Sequence, residues 1–393
     1  MKVTLLIMMV LAVSLSIGFV TTAHTQGATG AWVQVNISGF SDRLNTSASA
    51  LAPFRGALWA GTYVWTGQIP AQLWRSYDGL TWTAVMTNGF GNSNNRGINH
   101  LFEFNGTLYA STINRPNGGE VWRSSDGQTF SRVVSGGFGD PTNAEVFRFI
   151  AFDNMIYAST TSYTTTHGAE IWRSSSGDSG SWTRVAANGF GDARNISVIS
   201  FEAFNGYLYG GTWNGATGGE VWRTADGITW AQINPDGFGD SHSFVVSSLR
   251  AFNGYLYASV GHWATRWDFN SVDGIEIWRC QICDGSDWSR VVDRSFWPAR
   301  TGEQSSLRVF GGHLYLVVGN AATGMQVWRT TDGNVWEQVG FAGFGDHKNI
   351  RSRWDNAVTI FQDRLFVGTE NTVDGGEIWL YLPHVIFLPV ISR

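Results

Sequence analysis

The chain has 393 residues, 48 of them Gly and 20 of them Trp, while only 15% are charged. A disordered tail would not carry 14% aromatics, and a coiled coil would not carry so much Gly. The 26 basic against 31 acidic residues leave a net charge of −5, and only Lys2 and Lys348 are lysines, so there is no basic block to grip nucleic acid.

The first segment reads as an export signal. Lys2 precedes the apolar run TLLIMMVLAVSLSIGFV, and the small, polar stretch TTAHTQ follows, so residues 1–26 are expected to be a signal peptide. A secreted, extracellular or cell-surface location follows, with no membrane span in the mature chain. Residues 382–393 form a short apolar tail broken by Pro383 and Pro389.

Between them the chain repeats itself. Residues 104–143 read FNGTLYASTINRPNGGEVWRSSDGQTFSRVVSGGFGDPTN, and residues 204–243 read FNGYLYGGTWNGATGGEVWRTADGITWAQINPDGFGDSHS. The Trp of the EVWR segment recurs at 74, 122, 172, 222, 278, 328 and 379, at separations of 48, 50, 50, 56, 50 and 51 residues. Short aromatic and β-branched runs separated by Asn-Gly or Asp-Gly predict four strands in each repeat. Such repeats in series predict a seven-bladed, all-β propeller over residues 27–381. Repeat 7 lacks its fourth strand, and Ala31–Asn45 carries that pattern, so the N-terminal strand is expected to close the last blade.

The turns SYDGLTW (76–82), SSDGQTF, TADGITW and TTDGNVW resemble the Asp-box of the sialidase-like, BNR-repeat propellers, with one residue fewer between Asp and Gly. That resemblance implies the fold and a structural turn on the face away from the ligand. It does not fix an activity, because the family includes glycosidases, lectins, assembly factors and sorting receptors. Sialidases carry an arginine triad, a Tyr nucleophile with its Glu, and an early Arg-Ile-Pro segment. Here Gln68 precedes Ile69-Pro70. Inner-strand Arg148, Arg250 and Arg308, with Glu202, are expected to pair with one another and with water.

Residues common to most repeats are assigned to structure. Glu120, Glu170, Glu220, Glu276 and Glu377 precede [IV]-W, and an Arg follows that Trp in six repeats, which predicts a Glu–Arg ladder with Arg stacked on Trp. The G-F-G-D corners, with Asp42, Asn92, Asp140, Asp192, Asp240 and Asp346, suit Asx turns. Calcium ligation through their oxygens is the alternative, although no dense D-x-D-x-D run supports a dedicated loop. No metal site or other cofactor is assigned, since the His residues are scattered singly. Cys280 and Cys283 are expected to form a disulfide.

Departures from the repeat point to function. Repeat 5 carries the longest loop, VGHWATRWDFNSVDG, and replaces its G-F-G-D corner by Ser295–Arg300. His262, Trp263, Arg266, Trp267, Asp268, Trp297 and Arg300 form the expected ligand site, with Trp65 and Trp213 from other repeats on the same face. Trp beside Asp and Arg is the chemistry of sugar recognition. The expected function is non-catalytic binding of a glycan or cell-surface polysaccharide by a monomer. A protein-interaction or structural scaffold with an extracellular protein partner is the alternative, and a sialidase-like or other glycoside hydrolase is a further one, for which Asp268, Asp273 and Glu303 are the nominated acids.

Overall fold

The computed structural model describes residues 23–25, 31–164, 166–264 and 272–383. Most of the expected signal peptide, the end of the tail, and Arg266, Trp267 and Asp268 lie outside the described residues. Among the described residues the only helices are short 3-10 turns, and the rest is strand, turn and loop. No helix among them is long and apolar enough to cross a membrane.

Repeat 4 shows how the sequence builds each meander. Ser197–Phe204 and Tyr207–Trp213 pair antiparallel through the Asn205-Gly206 turn, and Val221–Thr224 and Ala231–Gln232 follow. Both turn residues have positive φ, 47° and 80°, the geometry of a tight hairpin that Asn-Gly tolerates. The second strand is buried along most of its length, so small residues recur there. A Cβ on Gly211 would lie 2.8 Å from Cβ of Val246 in the next repeat, so glycine sets how closely the two sheets approach.

The GFG corner supplies the packing between repeats. Its Phe adopts a left-handed backbone, φ 54–64° at Phe40, Phe90, Phe138, Phe190, Phe238 and Phe344. Each ring then lies against the anchor Trp of the following repeat: Phe138 on Trp172 at 4.7 Å and 7°, Phe190 on Trp222 at 4.5 Å and 7°. The Asn that follows the corner ties it down, as Asn195 donates to Gly189 O and to Glu220. Glu220 also accepts from its own Trp222 indole.

The expected Glu–Arg ladder takes a different partner. Glu120, Glu170 and Glu276 pair with Arg132, Arg184 and Arg290 of the fourth strand, and these arginines cover Trp122, Trp172 and Trp278. The arginines that follow the anchor Trp instead reach the next repeat, Arg173 to Asp226 O and Arg223 to Cys283 O. Alternation explains this: adjacent residues of a strand face opposite sides, so Arg173 cannot share the face of Trp172.

The two ends of the repeated region meet. Ala31–Gln34 pairs antiparallel with Ile378–Leu382, beside Arg364–Gly368 and Val358–Phe361. Trp32 is buried there and donates to Val339 O at 3.2 Å. Ala48 N–H donates to Thr369 O, and Asn371 N–H to Thr46 O, which joins repeat 1 to repeat 7. Cys280 and Cys283 are disulfide-bonded in the turn of repeat 5.

The DG turns carry the expected Asp caps. Asp126 accepts from Gln128 N–H and Thr129 N–H, and Asp332 from Val335 and Asn334 N–H. These backbone bonds hold both carboxyls down at about 2. A lowered folded pKa gives stability that is present above the unfolded value and lost as pH falls through the folded one. Acid titration from pH 4 to pH 2 should therefore destabilise the protein. The Asp126→Asn/Asp332→Asn double variant should show a shallower loss of melting temperature across that window, and an unchanged slope would rule the caps out as its source.

Candidate functional site

The first strands of all seven repeats line one shared cavity of about 380 Å³, among them residues Leu51, His100, Arg148, Glu202, Arg250, Arg308 and Thr359. Asp355 stands among its arginines, 3.2 Å from Arg148 and 3.6 Å from Arg250, while Arg250 also pairs with Glu202 at 2.9 Å. The expected mutual pairing of tunnel Arg and Glu is thus present, with Asp355 as an additional member. Ser248 and Ser306 donate to Asp355, and Arg308 donates to the Asp355 and Val358 carbonyls. Burial, with Arg250 close by, lowers the pKa of Arg308, and burial likewise lowers Arg148.

Asp355 belongs to Trp354–Ala357, a 3-10 turn that precedes the short first strand of repeat 7, Val358–Phe361. Its neighbour Trp354 faces a second cavity, also of about 380 Å³. That cavity opens among the loops between second and third strands. Trp65 of repeat 1, Arg115 of repeat 2, Tyr163 of repeat 3 and Trp213 of repeat 4 come from strand ends and loops, and Glu145, Arg351 and Arg353 from the starts of inner strands or just before them.

Its aromatic surfaces are graded from floor to rim. Trp354 is buried and lies 6.2 Å from both Trp213 and Phe147, whereas Trp65 is 54% exposed. Tyr163 has an exposed ring, yet its hydroxyl donates to the buried Glu145 carboxylate in a short bond. Burial, then the charge of Glu145, pushes the Tyr163 phenol far up, so it stays neutral. Arg115 lies over the Tyr163 ring at 4.6 Å. Burial opposes its charge, but Tyr163 and Glu145 outweigh that and raise its pKa.

Arg351 and Arg353 differ in their partners. Arg351 forks onto Glu370 at 2.7 and 3.0 Å. Arg353 is 7% exposed and lies 4.3 Å over the Tyr63 ring, and its Nε has no hydrogen-bond partner. Arg353 thus brings a positive charge to the lining of this cavity, the kind of group that pairs with an anion. Glu145 is the one acid among the described residues that line this cavity.

The sequence-predicted site divides. Trp65 and Trp213 line the cavity. Trp263 does not offer a ring face: it is fully buried, stacked on Phe244 at 3.6 Å, in the cluster that also holds Phe147, Ile199 and Trp354. It backs the cavity from behind. Trp297 is also buried, donating to Ile275 O and packing on Trp328 and Trp336 in place of a GFG corner. Both indoles are thus taken up by packing between repeats, Trp263 against residues of repeats 3, 4 and 7 and Trp297 against repeat 6. Arg300 is exposed, with φ 65°. His262 is buried against Asp240, and burial followed by Arg294 lowers its pKa. Arg115, Glu145, Arg353 and Trp354 were not singled out from sequence. The available signal was the start of repeat 7, where RSRWDNA replaces the opening of a regular inner strand.

No family model and no curated protein matches the chain. Solved structures do. The WD40 β-propeller domain of Doa1 matches at 12% identity and a TM-score of 0.54, over 88% of this chain and 96% of that one. A polysaccharide lyase, an ulvan lyase bound to -[GlcA(1-4)Rha3S]-, matches at 11% identity and a TM-score of 0.51, over 89% and 95%. A sialidase of Trypanosoma rangeli matches at 14% identity and a TM-score of 0.47, over 81% of this chain and 60% of that one. The chain thus spans less than two thirds of the sialidase's length. The likenesses to the WD40 domain and the lyase are to the fold: the protein is an all-β, propeller-like chain.

Proposed function

We propose that the protein is an exported, monomeric propeller of seven four-stranded blades, spanning residues 27–381, that binds an acidic glycan without transforming it. The ligand lies in the cavity between Trp65, Trp213 and Arg353. The observation that carries this reading is Arg353, a buried cation with an unmet N–H beside exposed aromatic surface. A uronate carboxylate or sulfate ester supplies the anion, and the sugar's C–H face meets the Trp rings. Arg266, Trp267 and Asp268, which follow Trp263 in sequence, remain part of the proposed ligand site. One carboxylate among the described lining residues favours binding over hydrolysis by a pair of acids.

The Tyr163–Glu145 bond beside Arg115 supports a second reading, sialidase-like cleavage with Tyr163 as nucleophile and Glu145 as its base. One experiment separates the readings. The purified chain is applied to an array of neutral, uronate-bearing and sulfated glycans, and bound ligands are then assayed for released sugar. Saturable binding restricted to acidic ligands, without release, is expected. Trp65→Ala, at an exposed position, should weaken it about tenfold. Release abolished by Tyr163→Phe would favour the enzyme, and silence on every glycan would leave a protein partner.

A further inference from the structure

A separate cluster stands where repeat 4 ends and repeat 5 begins. At each GFG corner the acid caps a turn: Asp140, Asp192, Asp240 and Asp346 each accept from the N–H two residues on. The second carboxylate oxygen meets a residue at the end of the second strand of the following repeat. Asn214 donates to Asp192 at 3.2 Å, and Asn371 to Asp346 at 3.5 Å. In repeat 5 that position is His262, whose Nε2 lies 3.2 Å from Asp240.

A second imidazole occurs at the same corner. The residue two beyond the acid is Thr142, Arg194 or Lys348 elsewhere and His242 here, with Nδ1 3.2 Å from Asp240. One ligand atom from each of Asp240, His242 and His262 lies within 4.8 Å of the others. His262 is 4% exposed, and its Nδ1 has no hydrogen-bond partner, the nearest acid being Asp273 at 3.9 Å. Two exceptions to the repeated pattern, both imidazoles and drawn from neighbouring repeats, converge on one carboxylate.

We infer that Asp240, His242 and His262 form a binding site for a divalent metal ion of the zinc type. Two imidazole nitrogens and a carboxylate oxygen are the donor set such ions prefer, with solvent or Asp273 to complete four ligands. The place of a positive charge is already marked. Arg294 is in close contact with His262 Nε2, and its Nη1 lies 3.5 Å from Asp240. That guanidinium is 37% exposed, so it can swing out to solvent while His242, 41% exposed, turns inward. The ion then clips the corner after repeat 4 to the strand that enters the long loop of repeat 5.

Tag-free protein is titrated with zinc by calorimetry and with cobalt(II) by visible absorption. One saturable equivalent is expected. His262→Asn, which restores the residue found in repeats 4 and 7, should weaken binding by about a hundredfold or more, since loss of a ligand costs at least as much as loss of an outer-shell partner. Arg294→Ala should tighten it about tenfold, because a cation no longer competes for the position. Absence of saturable binding in both wild type and Arg294→Ala, or equal affinity in folded His262→Asn, overturns the inference.

Discussion

Arg353→Ala is expected to weaken acidic-glycan binding about tenfold to a hundredfold while leaving the fold as stable as before or more so. A charge-assisted hydrogen bond contributes roughly 1.5–3 kcal/mol, which sets that range. Stability should not fall with affinity, because the guanidinium is buried with an unmet Nε in the ligand-free protein. Removing such a group relieves a desolvation cost, although the stack on Tyr63 at 4.3 Å is lost with it. Calorimetric titration with a uronate oligosaccharide, beside denaturant unfolding of the same samples, reads both quantities. Parallel loss of affinity and stability would make Arg353 a structural residue, and unchanged affinity would remove it from the site.

Asp355→Ala should have the largest effect on folding. Asp355 is 2% exposed and faces Arg148 and Arg250, with Arg308 on its carbonyl. Its side chain also accepts from Ser248 and Ser306 at 2.7 and 2.8 Å. Deleting one partner of a buried ionic cluster leaves the others uncompensated and costs about 3–5 kcal/mol. Guanidinium unfolding should show a loss of unfolding free energy of that size, read as a lower midpoint at unchanged m. Asp355→Asn, which keeps an acceptor for the serines, should cost less than Ala but more than a surface substitution. A loss below about 1 kcal/mol would mean that water already screens the arginines.

Much of this architecture was legible because repetition averages out local ambiguity. The spacing of the anchor Trp residues, the Asn-Gly and Asp-Gly turns and the Ala31–Asn45 segment each had a counterpart in several copies. The same device singled out Trp65 and Trp213 as aromatic exceptions, and both line the second cavity. It misjudged Trp263 and Trp297, since large indoles are buried wherever neighbouring repeats offer apolar surface, Phe244 and Trp354 for one and Trp328 and Trp336 for the other. Arg353 and Trp354 escaped notice for a related reason. They stand just before the short first strand of repeat 7, where a 3-10 turn replaces the opening of a regular inner strand, and that reads in sequence as a weak copy rather than a new feature. His242 and His262 looked isolated because they come from different repeats, and only the folded corner sets them beside one Asp.

The pairing of Ala31–Gln34 with Ile378–Leu382 also bears on how the molecule is made. Each meander is stitched from neighbours in sequence, so its hairpins can form quickly and independently. The clasp joins segments on opposite sides of the whole succession, with hydrogen bonds such as Ile378 N–H to Asn36 spanning 342 positions. Until the last repeat has emerged, Ala31–Gln34 has only Ala23–Thr25 beside it and lacks Ile378–Leu382, and open edges recruit other chains. The early part of the chain is therefore exposed to aggregation for the full duration of synthesis.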